Sequence, residues 1–221
     1  MPDYCTFCEI VAHREPARVF YEDDDVIVFE NVLGWSRVMM LAVPKAHRTQ
    51  SELWADLGPV GRAAVEMGRK HAPEGFRVLS NFGSYGMQSQ PHGHVHILDE
   101  TDPLFERRAT PPRSIVDAVR DGGSEPQVRT DHAVFFDARK RAAHPPLTSL
   151  ALPDPDPGGG VSALDLWSSL GRFGDDVVEV GWSSSQYGFR LLANFPNEER
   201  LPGGEKGHVH LLGGAPLGHY V

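Results

Sequence analysis

Residues 81–98 read Asn81-Phe-Gly-Ser-Tyr-Gly-Met-Gln88-Ser89-Gln-Pro-His92-Gly-His94-Val-His96-Ile-Leu98. At the end of this stretch three histidines alternate with Gly93 and Val95, and Ile97 and Leu98 continue it as apolar residues. Alternation of period two marks a β-strand, in which every second side chain shares a face. The pattern predicts a strand over 93–98 with three imidazoles along one side, roughly 6–7 Å apart. That spacing suits neighbouring phosphate or metal positions. Just upstream, Gly83, Gly86, Gln88, Ser89 and Pro91 form a turn-rich approach whose amide, hydroxyl and backbone N–H groups can meet an anion.

Outward from this stretch, the preceding residues read as one α+β lobe. Residues 18–21 and 25–29 form a hairpin around the turn Glu22-Asp-Asp. Residues 37–43 are almost continuously apolar, as in a buried strand, closed by Pro44. A helical segment runs from Ser51 to about His71, broken or restarted at Gly58-Pro59 because proline cannot donate to the helix ladder. Residues 76–81 complete the sheet beside the histidine strand. After Asp99 the pattern dissolves: 100–113 are rich in charge and proline, and Asp121-Gly-Gly-Ser-Glu-Pro is turn chemistry. Residues 100–124 are expected to connect two lobes, with a short helix over 114–120.

The remainder repeats the first half. A shift of 113 aligns 53–82 with 166–195 without a gap, and 14 of the 30 positions are identical, among them Trp54/Trp167, Gly75-Phe-Arg77/Gly188-Phe-Arg190 and Asn81-Phe/Asn194-Phe. A shift of 114 then superposes Gly93-His-Val-His96 on Gly207-His-Val-His210, and Leu41-Ala-Val-Pro44 resembles Leu150-Ala-Leu-Pro153. An internal duplication reorganises any fold assignment. The expected lobes are 1–99 and 125–221, with 154–160 (Asp-Pro-Asp-Pro-Gly-Gly-Gly) inserted as an exposed loop in the second.

Composition bounds the rest. The 221 residues suffice for one ordinary domain or two small ones. A net charge of −9 argues against a general nucleic-acid binder but not against a nucleotide, which local donors hold. No apolar run is long enough to span a membrane. The opening Met-Pro-Asp-Tyr-Cys lacks the basic and apolar regions of a signal peptide, so a cytoplasmic location is expected. The two cysteines stand as Cys5-x-x-Cys8, which suits a metal site better than a secreted disulfide scaffold.

The run His92-Gly-His94-Val-His96-Ile-Leu resembles the His-x-His-x-His signature of the histidine-triad (HIT) superfamily of nucleotide hydrolases and transferases. The resemblance extends to Asn81, Gln88-Ser89, Cys5-Thr-Phe-Cys8-Glu-Ile, Tyr21-Glu-Asp and Val43-Pro-Lys-Ala-His47, and covers residues 4–98. It implies that His94 is a nucleophile forming a nucleotidyl-histidine, with His96 hydrogen-bonding the phosphate or the leaving group. A neutral imidazole suits that task, since it attacks phosphorus well and leaves it readily. Asn81, Gln88 and Ser89 match phosphate contacts, and Phe7, Ile10, Phe29, Asn31 and Val32 match positions around the nucleoside. For the apolar ones, an ordinary core role is the alternative.

The same resemblance implies a structural zinc held by Cys5, Cys8, His47 and His92, two thiolates and two imidazoles meeting the tetrahedral requirement. A reduced Cys-x-x-Cys near a surface His47 is the other reading. Two departures bear on substrate identity. Asn31 stands where many relatives have a ribose-binding Asp, and Met39 where the hydrolases usually place a further histidine. The second half keeps His208 and His210 but has Lys206 in place of His92, as expected of a decayed copy.

Single-lobe members are typically homodimers, so the duplication implies two tandem HIT-like lobes, an antiparallel sheet plus helix each, forming an intramolecular pseudo-dimer. The expected protein is a monomer of that kind, with further self-association left open. Hydrolysis of a nucleoside phosphoramidate, mixed anhydride or dinucleotide is the first expectation, because the third triad position is His96 where uridylyltransferase relatives usually have glutamine. Nucleotidyl transfer or phosphorolysis is the second, and a non-catalytic nucleotide sensor the third. The tail 211–221 resembles that of small HIT hydrolases, in whose dimers it reaches the neighbour's site. His219 or Tyr220 would do so here.

Overall fold

A computed structural model describes residues 4–33, 36–99, 114–139, 145–155, 161–197, 201 and 204–218. The chain runs α1 (Thr6–Val11), β1 (Val19–Glu22), β2 (Val26–Glu30), β3 (Met39–Pro44), α2 (Gln50–Ala55), α3 (Gly58–His71), β4 (Gly75–Gly83), β5 (Val95–Asp99), α4 (Ile115–Asp121), β6 (Val128–Arg129), β7 (Ala133–Asp137), β8 (Leu147–Pro153), α5 (Ala163–Trp167), α6 (Gly171–Ser184), β9 (Gly188–Pro196) and β10 (Val209–Gly213).

The local reasons are visible in the sequence. Thr49 caps α2 through a full capping box with Glu52, satisfying donors at both ends of the motif. Pro59 sits in the first turn of α3, where it loses no helix bond. The expected break at Gly58-Pro59 is therefore the junction between two helices. Pro44 ends β3 while still pairing with Val26.

All ten strands form one sheet in the order β1-β2-β3-β5-β4-β9-β10-β8-β7-β6, with every pairing antiparallel. Exchanging each strand for its counterpart five places on reverses the list into itself. The centre of that symmetry is the β4–β9 seam, where Leu79 pairs with Leu192, its copy 113 residues later. Side chains obey the same rule. Phe76 stacks on Phe195 with ring centroids 4.7 Å apart, Phe82 on Phe189 at 4.4 Å, and Trp54 meets Trp167 edge-on at 5.5 Å. These aromatics belong to one buried core that spans both halves. Two helix crossings are tight enough to require glycine. A Cβ on Gly61 would lie 1.9 Å from the carbonyl oxygen of Trp167, and one on Gly174 would lie 2.7 Å from that of Trp54.

The helix expected at 114–120 forms as α4 and packs on strands of the second half. Val116 and Val119 pack against Val134, Phe136, Leu150 and Leu152. In the first half Phe7 and Ile10 of α1 pack in the same way against Ile27, Phe29, Leu41 and Val43. Part of the expected 154–160 loop, residues 156–160, falls outside the described residues. No helix of the described residues is long and apolar enough to cross a membrane.

Candidate functional site

The three histidines converge, but not on one strand. β5 begins only at Val95, so His92 and His94 lie in its lead-in rather than on the strand expected from 93 onward. The reason is a competing set of partners. Gly93 N–H donates to the carbonyl of Arg48 (2.7 Å), and a Cβ at Gly93 would meet the carbonyl oxygen of Thr49 at 2.7 Å. The Gln50 side chain then takes both backbone groups of His94: its Oε1 accepts from His94 N–H (3.0 Å) and its Nε2 donates to His94 C=O (2.9 Å). Ser80 Oγ adds a bond to the same carbonyl at 3.3 Å. A buried amide thus stands in for a ladder strand at the middle histidine.

Hydrogen bonding fixes the tautomer of His94. Its Nδ1 lies 2.8 Å from the carbonyl oxygen of His92, which can only accept, so Nδ1 carries the proton and Nε2 keeps its lone pair. Burial lowers the pKa of His94, which keeps that lone pair free at neutral pH. The His96 ring lies 4.9 Å away, centroid to centroid. Burial, with the neighbouring His94 and Arg190, holds His96 well below the ordinary range, and its Nε2 is buried without a hydrogen-bond partner among the described residues. Phe7 presents its ring edge-on to His94 at 5.2 Å.

Asn81 stands on β4 directly opposite Arg190 of β9, and its Oδ1 accepts from Arg190 Nε at 2.7 Å. Gln88 closes the following turn: Oε1 accepts from Gly83 N–H (3.1 Å) and Nε2 donates to the Gln90 carbonyl (3.0 Å). Ser89 is exposed, and Met87 holds a left-handed φ of 62°. The second half grips this loop. Tyr85 N–H donates to the Tyr187 carbonyl, and Leu217 N–H donates to the Tyr85 carbonyl, both at 2.9 Å. The C-terminal stretch therefore does reach the first-half loop through buried Leu217, while His219 and Tyr220 lie outside the described residues.

A second constellation adjoins the first. Ligand atoms of Cys5, Cys8, His47 and His92 all lie within 4.8 Å of one another. His92 Nδ1 is 3.6 Å from Cys5 Sγ and 3.5 Å from Cys8 Sγ, and His47 Nδ1 is 3.1 Å from Cys8 Sγ. A tetrahedral zinc with bonds of about 2.3 Å to sulfur and about 2.0 Å to nitrogen separates its donors by roughly 3.3–3.8 Å, so the set fits. His92 is also prepared to ligate. Its Nε2 faces the Pro44 carbonyl at 2.9 Å and must carry the proton, which leaves Nδ1 bare toward the thiols. Burial pulls the His92 pKa down to about 4, and burial together with Cys5 pushes the Cys8 thiol up to about 11.

The remaining expected residues divide. Phe7, Ile10 and Phe29 form one apolar cluster beside the histidines. Asn31 is buried, with Oδ1 accepting from Leu33 N–H at 3.1 Å, whereas Val32 is 96 % exposed. Met39 packs with Leu79, Leu98 and Leu192 at the seam.

Comparison with known proteins now bears on this geometry. The HIT domain profile matches residues 12–102. Protein HitA of Neisseria gonorrhoeae is 30 % identical over 102 residues, which is 43 % of this chain and 95 % of that protein. The chain belongs to the HIT family. A 14 kDa zinc-binding protein of Brassica juncea is 31 % identical over 100 residues, 42 % of this chain and 88 % of its own length. Among solved structures, a HIT family hydrolase from Clostridium thermocellum aligns at 27 % identity with a TM-score of 0.42, covering 47 % of this chain and 96 % of that one.

Each of these alignments covers less than half of the chain, and the second half of this HIT protein has its own internal logic. His208 repeats the His94 tautomer lock, with Nδ1 2.8 Å from the Lys206 carbonyl, and its ring is 4.9 Å from His210. The positions of the Cys/His cluster, however, are rebuilt as an ion pair. Ser114 holds the N-cap position of α4 as Cys5 does that of α1, Asp117 stands where Cys8 does, and Lys206 replaces His92. Lys206 Nζ bonds Asp117, and Ser114 Oγ bonds Glu205. No residue pattern in the second half marks this counterpart of Cys-x-x-Cys; only the N-cap positions and the packing reveal it. Sequence reading also missed Gln50, whose one signal is a polar residue just after a helix cap, and Arg190, whose signal was its identity with Arg77.

Proposed function

We propose that the first half is a nucleotide hydrolase acting on a nucleoside phosphoramidate, mixed anhydride or dinucleotide through a nucleotidyl-His94. The observation that carries this is the tautomer of His94: a buried imidazole held by Gln50, with its proton locked on Nδ1 and an unprotonated Nε2 beside His96. His94 Nε2 forms a bond to the α-phosphorus while the bond from phosphorus to the leaving group breaks. Water then forms the new P–O bond as the Nε2–P bond breaks. Over the cycle one water proton ends on the leaving group and the hydroxyl on phosphorus. His96 hydrogen-bonds the leaving atom and then the attacking water. Asn81, with Gln88 and Ser89, steadies charge on the equatorial oxygens, and Phe7, Ile10, Phe29, Asn31 and Val32 surround the nucleoside.

Cys5, Cys8, His47 and His92 are proposed to hold a structural zinc tying α1 to the catalytic segment. The donor spacing here and the zinc-binding relative support it. The two halves are proposed to be tandem HIT lobes, 1–99 and 125–221, forming an intramolecular pseudo-dimer, with α4 of the connecting segment packed on the second. Incubation with adenosine and guanosine 5′-phosphoramidates, with products analysed with and without a sugar-phosphate acceptor, tests the reading. Nucleoside monophosphate and free amine are expected without acceptor. Product only in the presence of acceptor would establish a transferase, and binding without turnover a sensor.

A further inference from the structure

We infer that Arg190, carried by the second half, is a positioning residue of the first-half site, orienting the Asn81 carboxamide toward the phosphate. The inference rests on the phosphate role proposed for Asn81. An arginine side chain offers donors only, so its 2.7 Å contact with Asn81 engages the carboxamide oxygen and no other atom. That choice removes the amide flip: Oδ1 is committed to Arg190, which leaves the NH2 group as the end of the carboxamide that can donate. Arg190 is 4 % exposed, and its Nη2 also approaches the Gly86 carbonyl at 3.4 Å. One buried cation thus braces both the strand that carries Asn81 and the turn that carries Gln88. Burial lowers its pKa to about 10, so it stays charged at neutral pH.

The duplication supplies an internal control. Arg77 makes the reciprocal bond to Asn194 Oδ1 at 2.9 Å and is 8 % exposed. The two contacts lie symmetrically about the seam. They differ in what they serve. Beside Asn194 the His92 counterpart is Lys206, and the Gln50 counterpart, at the shift of 113, is Ala163, which cannot clamp a backbone. A contact that merely staples the lobes would matter equally on both sides. A positioning contact matters on one.

The test compares Arg190→Gln, Arg190→Lys, Arg77→Gln, Asn81→Ala and the double variant Asn81→Ala/Arg190→Gln, using full-length protein, adenosine 5′-phosphoramidate as substrate, and thermal melting in parallel. Arg190→Gln should lower kcat/KM by at least about tenfold, the scale on which misplaced groups act. The double variant should be no worse than Asn81→Ala, because the two residues act as one unit. Arg190→Lys, which keeps the charge and one donor, should recover part of the loss and covers the case in which the glutamine variant does not fold. Arg77→Gln should melt lower by a similar amount yet keep kcat/KM within about twofold. Equal losses of activity in Arg77→Gln and Arg190→Gln, or additive losses in the double variant, would overturn the inference. If the wild type turns over no phosphoramidate, the hydrolase reading falls alone. The same variants titrated with inorganic phosphate then decide the positioning claim: weakening by Arg190→Gln and Asn81→Ala but not by Arg77→Gln supports it, and a uniform response refutes it.

Discussion

Leu79 and Leu192 are copies of one another 113 residues apart, and they pair directly across the central seam of the sheet. A residue can face its own copy in an antiparallel pair only on a two-fold axis, so this pairing locates the symmetry of the molecule. The contacts across the seam are reciprocal, from the stacked phenylalanines to the crossed Arg–Asn bonds. The shared core implies that the halves unfold together.

Gly61→Ala tests that cooperativity. The added Cβ would fall 1.9 Å from the Trp167 carbonyl, so α3 must retreat from α5. A destabilisation of roughly 1–3 kcal/mol is expected, with Gly174→Ala milder because its clearance is 2.7 Å. Denaturant unfolding should remain a single transition in both variants. Two transitions would mean that the lobes are separately stable.

Gln50→Ala should damage the site more than the fold. It removes both side-chain bonds to the His94 backbone, leaving a buried N–H without that partner, while Ser80 still reaches the carbonyl. About 1–3 kcal/mol of stability should be lost, with turnover falling further as His94 drifts. Rate and melting measured on the same preparation check this; unchanged turnover would show that the clamp is not needed.

Native-purified protein should carry about one zinc per chain, and Cys5→Ser or Cys8→Ser should lose it. The pH dependence follows from the thiol. Cys8, pushed up to about 11, must give up its proton to ligate, so metal is held at high pH and released as pH falls. His92, with its pKa near 4, is already neutral through most of that range and does not set the window. Metal analysis after dialysis at stepped pH reads both statements. Two zincs per chain, or retention that improves on acidification, would contradict them.

Much of this was legible before any coordinates. The histidine triad, the Cys5, Cys8, His47, His92 cluster and the duplication are written in residue identity and spacing, which survive without knowledge of packing. The point at which β5 starts was not, because it depends on a side chain, Gln50, reaching 44 residues along the chain. The equivalence of Ser114 and Asp117 with Cys5 and Cys8 was equally hidden: an ion pair stands in place of the Cys/His cluster, and only the helix N-cap position and the valines beneath it kept the pattern. The degree of burial was not legible either: of two adjacent candidates, Asn31 is buried and Val32 is exposed.

His96→Gln should separate the two chemical steps. Glutamine still donates to a leaving oxygen but cannot shuttle a proton near neutral pH. Hydrolysis should therefore fall more than formation of the nucleotidyl-protein. Equal losses in burst and steady state would place His96 outside the second step.

One active lobe works through His94, in the proposed reaction, although His208 shows the same tautomer lock. The direct measurement is covalent trapping of labelled nucleotide, with steady-state rate beside it, on wild type, His94→Ala and His208→Ala. The expected result is label on the wild type and on His208→Ala with near-normal turnover, and neither label nor turnover on His94→Ala, because the nitrogen that attacks phosphorus is gone. A folded His208→Ala protein as inactive as His94→Ala, or a labelled His94→Ala protein, would contradict it.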